Sequence, residues 1–184
     1  METTKIPTKT KWVIDSSHSE ISFKVKHLMI SNVKGLFKEF GANISVNNGG
    51  FMTSDIEFWL NTDSIDTGDV KRDEHLKSVD FFDNEKHKQI NFKGKFFEKM
   101  DNIGSYELHG DLTIKDITNK IKLNVHFGGV MKDPWGNEKA GYSVSGKINR
   151  KTWGLDWNTT LDAGGLLVSE EVLINCELEF IKQV

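Results

Sequence analysis

The segment NKIKLNVHFGGVMKDPWGNEKAGYSVSGKINR, residues 119–150, holds two runs of alternation joined by one tight turn. In the first run Ile121, Leu123, Val125 and Phe127 share a face, with Lys, Asn and His between them. In the second, Tyr142, Val144, Gly146 and Ile148 do the same. A period of two is the pattern of a strand with one apolar and one wet face. Pro134 pre-sets φ for a turn and Gly136 tolerates positive φ, so DPWG reads as a hairpin corner. Asn149, Arg150 and Trp153 follow the second run and are expected to brace its exit, a direct contact with a ligand being the alternative.

The same period recurs on both sides of this hairpin. EISFKVKHL places Ile21, Phe23, Val25 and His27 on one face, SDIEFWLN places Ile56, Phe58 and Leu60, and KQINFKGKF places Ile90 and Phe92. SYELHGDLTI aligns Tyr106, Leu108, Gly110 and Leu112, while EEVLINCELEFI aligns Val172, Ile174, Cys176, Leu178 and Phe180. A longer, less regular pair lies in VKGLFKEFGANISV. At least eight strands result, and their connections are mostly short: NNGG, MDNIG, KDIT, KDPWGNE. Short connections favour sequential antiparallel pairing. Strands with one apolar face must close on that face or bury it against a second sheet. The class is all-β, with no internal repeat.

Two segments break the rhythm. DTGDVKRDEHLKSVDFFD carries a helix signal near residues 69–79, with Asp69 as N-cap and a partly apolar stripe of Val70, Leu76 and Val79. Phe81 and Phe82 follow at once, as in a short helix that caps one end of a barrel. WGLDWNTTLDAGGLLVSEE is too long for a simple hairpin and reads as a functional loop.

The totals bound the function. A chain of 184 residues favours one domain, here a disordered tail over residues 1–10 and a barrel domain over 11–184. A net charge of −3 argues against a nucleic-acid partner, which demands a clustered positive excess. The single cysteine, Cys176, excludes an internal disulfide, and its inward mid-strand position predicts a buried, inert thiol. The opening stretch lacks the apolar run of a secretory signal, and no run approaches a membrane helix, so a cytoplasmic protein is expected.

Signals for chemistry are weak. None of the six histidines forms a close ligand pair, so no metal is expected. The carboxylates around residues 63–83 are accounted for by helix caps and a solvated face rather than by acid–base catalysis. No glycine-rich phosphate loop is present. His27 stands apart because it shares a face with Phe23 and Val25; it is either a hydrogen-bonded core histidine or a polar group inside a cavity. Twelve Phe and five Trp against two Tyr give the aromatics an apolar bias, and a buried Phe, unlike Tyr or Trp, needs no hydrogen-bond partner. Such an interior is either a solid core or a tunnel, and about eight strands permit both.

Five stretches carry a family resemblance: IDSSHSEISFKVKHLMISNVKGLF, SIDTGDVKRDEHLKSVDFFD, GDLTIKDITNKIKLNV, GGVMKDPWGNEKAGYSVSGKINRKTWGL and LDAGGLLVSEEV. In this order they resemble the YceI-like family of bacterial polyisoprenoid-binding proteins, over about residues 11–182. The resemblance implies a lipocalin-like, eight-stranded antiparallel β-barrel with a short capping helix, and it turns the even choice towards a tunnel. It implies no enzyme and no cofactor, but an apolar lipid partner: a polyisoprenoid, a quinone or a fatty-acid-like molecule, carried, stored or sequestered. A transient membrane contact and a homodimer are compatible with it. The expected lining is Phe23, Val25, His27, Phe37, Phe58, Phe92, Leu123, Val125, Phe127, Val144, Ile174 and Leu178, with Leu76, Phe81 and Phe82 closing one end. Arg72 is a candidate for an anionic head group. Two other readings stay open: an enzyme acting inside the barrel through His27, and a ligand-free protein with a filled core.

Overall fold

The computed structural model describes residues 9–47 and 50–184. Among them the chain forms eleven strands and one α-helix. The strands are β1 (Thr10–Ile14), β2 (Glu20–His27), β3 (Ser31–Phe37), β4 (Phe40–Asn47), β5 (Gly50–Asn61), β6 (Ile65–Asp66), β7 (Gln89–Lys99), β8 (Ser105–Ile114), β9 (Ile117–Lys132), β10 (Glu138–Asn149) and β11 (Val168–Lys182). The helix, α1, is Val70–Lys77. The expected tail falls mostly on residues 1–8, outside the described residues, and Thr10 already opens β1.

Eight strands close a ring in the order β1-β4-β5-β7-β8-β9-β10-β11, and β11 returns to β1 through Trp12↔Lys182 and Ile14↔Phe180. Every pairing is antiparallel. The remaining strands continue the wall upwards. β2 takes over from β1 along the upper part of β11, β3 pairs with β2, and β6 pairs with the end of β3. The fold is thus a lipocalin-like, eight-stranded antiparallel barrel in which three of the strands are broken in two.

One break is visible in its chemistry. After β1, Asp15 accepts a hydrogen bond from Ser17 N at 3.1 Å and starts a single 3₁₀ turn, Ser16–His18. Asp15 and Glu179 then both bond Lys139 Nζ, at 3.0 and 2.6 Å. This network pins the joint between β1 and β2 to β10 and β11, where the barrel closes.

The hairpin corner forms as the turn chemistry requires. Asp133 Oδ1 accepts from Trp135 N and Asn137 N, both at 2.9 Å, and Gly136 takes φ +92°. At the other end of β10, Arg150 and Trp153 brace the chain. Arg150, 3% exposed, donates to the carbonyls of Ser169, Leu155, Trp157 and Val168. Trp153 Nε1 donates to Leu112 O at 3.0 Å.

The helix starts where expected: Asp69 Oδ1 accepts from Arg72 N at 2.9 Å. Its expected stripe needs correction. Leu76 turns towards the barrel, but Val70 and Val79 are 73% and 70% exposed. Eight residues give only about two turns, and the chain leaves the helix after Lys77, so one apolar position suffices to seat it.

Candidate functional site

The barrel interior divides into a filled half and an open half. The lower half is closed by aromatic rings. Trp12 lies 5.5 Å from Phe51, Phe51 lies 5.4 Å from Phe127, Phe127 lies 5.1 Å from Tyr142, and Tyr142 lies 5.8 Å from Phe180, centroid to centroid. Above this floor is a cavity of about 550 Å³. That volume falls within the range of pockets that enclose most of a drug-sized ligand. Among the described residues, the continuous tunnel expected along the axis is thus limited to a pocket above this floor.

The lumen stays open because of what lies across the strands from its aromatic rings. A Cβ at Gly35 would stand 2.2 Å from Phe23 Cζ, and one at Gly110 would stand 2.3 Å from Phe92 Cζ. Phe23 pairs directly with Gly35 in the β2–β3 register. Each ring therefore lies flat over bare backbone instead of projecting along the barrel axis. Ring burial against the wall is gained without filling the space between the walls.

Thirteen of the fifteen residues expected at the site line this pocket: Phe23, Val25, His27, Phe37, Phe58, Leu76, Phe81, Phe82, Phe92, Leu123, Val144, Ile174 and Leu178. Val125 and Phe127 do not. Both point inward, as their alternation requires, but at the level of the floor, where Phe127 packs on Phe51 and Tyr142 and Val125 is 3% exposed. A period of two tells inside from outside; it does not tell depth along the axis.

Other wall residues come from outside the alternating pattern. Leu155, Trp157 and Leu167, from the long loop before β11, reach the cavity, as does Arg150. The aromatic and Leu–Leu content of that loop was a signal, but nothing in it gives direction. Cys176 faces the lumen, and burial pushes its thiol up to about 12. The side chain is half-buried rather than fully buried as expected, because it borders the open lumen.

The mouth is polar where the wall is not. Thr67, Lys71, Arg72 and His75 join the lining at the α1 end. Arg72 Nε donates to Thr67 Oγ1 at 2.7 Å and Nη2 to Thr67 O at 2.8 Å, while Thr67 Oγ1 donates to Asp73 Oδ1 at 2.6 Å. Arg72 is thus held at the opening by a hydroxyl and a carbonyl rather than a carboxylate. His75 Nε2 lies 2.8 Å from Asp80 Oδ2, and its ring stacks edge-on against Trp157 at 4.6 Å and Phe81 at 5.2 Å. His27, the last residue of β2, sits at the rim rather than deep in the barrel. Among the described residues its ring has no hydrogen-bond partner.

One cluster has metal-ligand geometry among the described residues: Asp15, His18 and Glu179. Lys139 Nζ bonds both carboxylates, so their charge is already compensated. The cluster lies at the closing seam, away from the pocket, and reads as part of the wall.

The comparisons with known proteins agree with this geometry. A family model described as the YceI-like domain matches residues 12–180. A UPF0312 protein of Staphylococcus aureus is 36% identical over 172 residues, covering 93% of this chain and 97% of that protein. The crystal structure of the Campylobacter jejuni YCEI protein superposes with a TM-score of 0.74 at 31% identity, covering 100% of both chains. At fold level alone, a polyisoprenoid binding domain from Saccharophagus degradans matches with a TM-score of 0.67 at 11% identity, covering 94% of this chain and 98% of that one.

Proposed function

The chain belongs to the YceI-like family, and from that premise we propose that its pocket holds the tail of a long-chain isoprenoid or similar apolar lipid, for carriage or storage. The observation that carries this reading is the lumen itself: an open, aromatic-walled pocket kept clear by glycines, with Lys71 and Arg72 at its mouth and the guanidinium of Arg150 already bonded to backbone carbonyls. The tail lies against Phe23, Phe58, Phe92 and Ile174. The head group rests among Thr67, Lys71, Arg72 and His75. The Saccharophagus domain, named for binding polyisoprenoids, has the same fold and supports the choice of ligand class.

Burial supplies affinity at about 0.8 kcal/mol per methylene. Ordering of a flexible chain and desolvation of its head offset much of it. An apolar wall reads length and shape, so discrimination between head groups falls to the mouth. Native mass spectrometry of protein purified from its own host tests the reading. A retained mass of isoprenoid type, lost in a folded Phe92→Asp variant, is the expected outcome, because an unpaired charge in an apolar pocket is costly. A host-purified protein that carries no lipid and takes up none when offered polyprenols would sink it.

A second reading rests on the His75–Asp80 pair, which has the geometry of an oriented base at the edge of a cavity. An enzyme of this kind would convert a hydrophobic substrate at the mouth. Incubation with isoprenoids followed by a product search separates the two. A changed lipid formed by wild type and not by His75→Gln favours the enzyme.

A further inference from the structure

The hairpin between β2 and β3 is built against its own turn chemistry. Ile30 N donates to His27 O at 3.1 Å, which closes a tight turn whose two central residues are Leu28 and Met29. Both take left-handed φ, +52° and +62°. Asn and Gly fill such a turn with least strain; Leu and Met do not. Burial compensates these side chains only in part. Leu28, Met29 and Ile30 are 38%, 54% and 84% exposed. Three consecutive large apolar residues are therefore left partly in water, Ile30 most of all, and the first two of them on disfavoured backbone. A local conflict of this kind marks a functional position.

The tip stands beside the mouth. His27 lines the pocket, Leu28 N donates to Leu167 O at 2.9 Å, and Leu167 lines it too. Met29 lies against Gly165 of the same long loop. The hairpin below the tip is basic: between Lys24 and Lys34 the charged residues are Lys24, Lys26 and Lys34, with no carboxylate. Lys34 pairs with Glu20 at 2.8 Å, while Lys24 and Lys26 are exposed. Lys71 and Arg72 add exposed cations across the opening, beside Asp69, Asp73 and Glu74 of the helix and Asp162 of the loop.

We infer that Leu28, Met29 and Ile30 form a wedge that inserts into the surface of an anionic lipid bilayer and sets the pocket mouth against it. An apolar tip with lysines behind it is the chemistry of an interfacial anchor: the side chains enter the acyl boundary while the cations meet the head groups. The proposed contact is a docking by the tip; among the described residues no helix is long and apolar enough to cross a membrane. With the mouth against the bilayer, a lipid tail passes between membrane and pocket without crossing water. That consequence rests on the proposed cargo; the docking itself does not.

The barrel offers a built-in comparison. The β9–β10 tip also exposes large apolar residues, Met131 at 79% and Trp135 at 83%, but it lies at the floor end, away from the pocket. The test is flotation of the full chain with vesicles of phosphatidylcholine, with and without phosphatidylglycerol, and containing no isoprenoid. Wild type binds the anionic vesicles, and added salt weakens the binding. Met29→Ser/Ile30→Ser lowers it about tenfold or more, as expected when two apolar side chains no longer leave water. Leu28→Asn/Met29→Gly gives the turn its preferred residues, so the variant melts at the same or a higher temperature and still loses vesicle binding. Met131→Ser/Trp135→Ser binds as wild type does. Four results would overturn the assignment: no binding by wild type, equal binding to both vesicle types, unchanged binding in both tip variants, or a loss that follows the floor-end variant instead. Cargo retention is read separately by mass spectrometry, so failure of docking and failure of lipid binding are distinguishable.

Discussion

At Tyr142 the ring is well placed and the hydroxyl is not. The side chain packs among Phe51, Phe127 and Phe180, and its hydroxyl has no hydrogen-bond partner among the described residues. Burial accordingly raises its pKa far above the ordinary tyrosine value. Removing an unsatisfied buried hydroxyl relieves a desolvation cost, so Tyr142→Phe is expected to stabilise the protein by about 1 kcal/mol in urea unfolding. A clear loss of stability would mean that the hydroxyl has a bound partner, such as an internal water. Gly35→Ala probes the wall in the opposite sense. The new methyl would displace the Phe23 ring towards the lumen, at a cost of about 1–3 kcal/mol of overpacking. Lipid capacity should fall with it. Unchanged capacity would show that the flat ring is not what keeps the pocket open.

At the scale of elements, the closing seam of β1, β10 and β11 depends on Lys139 and two carboxylates. Hydrogen bonds from Ser17, His18 and Lys139 hold Asp15 well below its ordinary value of 3.8, against a smaller opposing effect of burial. Glu179, then Asp15, raise Lys139 from 10.5 to about 12. A depressed carboxylate stabilises the fold fully above its unfolded pKa and less as pH falls through the folded one. A raised lysine stabilises fully below its unfolded pKa and less as pH climbs through the folded one. The seam therefore contributes evenly between about pH 4 and about pH 10.5, and weakens outside that window on either side. Lys139→Met leaves Asp15 and Glu179 facing each other, so it should lower the melting temperature at pH 7. The deficit should shrink below about pH 4, where the carboxylates take up protons. A deficit independent of pH would assign the effect to lost packing of the lysine stem.

For the whole molecule, the open pocket makes stability a function of occupancy. A ligand that binds only the folded barrel adds about 2.7 kcal/mol at a hundredfold excess over Kd. In a domain of this size that corresponds to a rise in melting temperature of roughly 5–10 °C. Delipidated protein should therefore melt lower than protein from its own host, and added polyprenol should restore the difference. Equal melting of the two forms would argue that the pocket carries nothing in the host.

Much of this architecture is written in the sequence because its elements are decided locally. Alternation in residues 121–127 and 142–148 fixes which side chains face inward, since successive side chains of a strand point to opposite faces whatever surrounds them. Asp69 starts the helix and the Asp133–Gly136 turn closes its hairpin through bonds spanning only a few residues. Quantities along the barrel axis could not be read in this way. Val125 and Val144 are identical residues on equivalent faces and even lie opposite each other, yet one packs into the floor and the other lines the pocket. The level of the floor depends on Trp12, Phe51 and Phe180, which are far apart in the chain. The openness of the pocket depends on Gly35 meeting Phe23, a matter of strand register. The position of the mouth depends on the loop before β11, where Arg150 gathers four carbonyls around one guanidinium. Inside against outside is a property of the single strand, whereas filled against empty is a property of how all eight are set against one another.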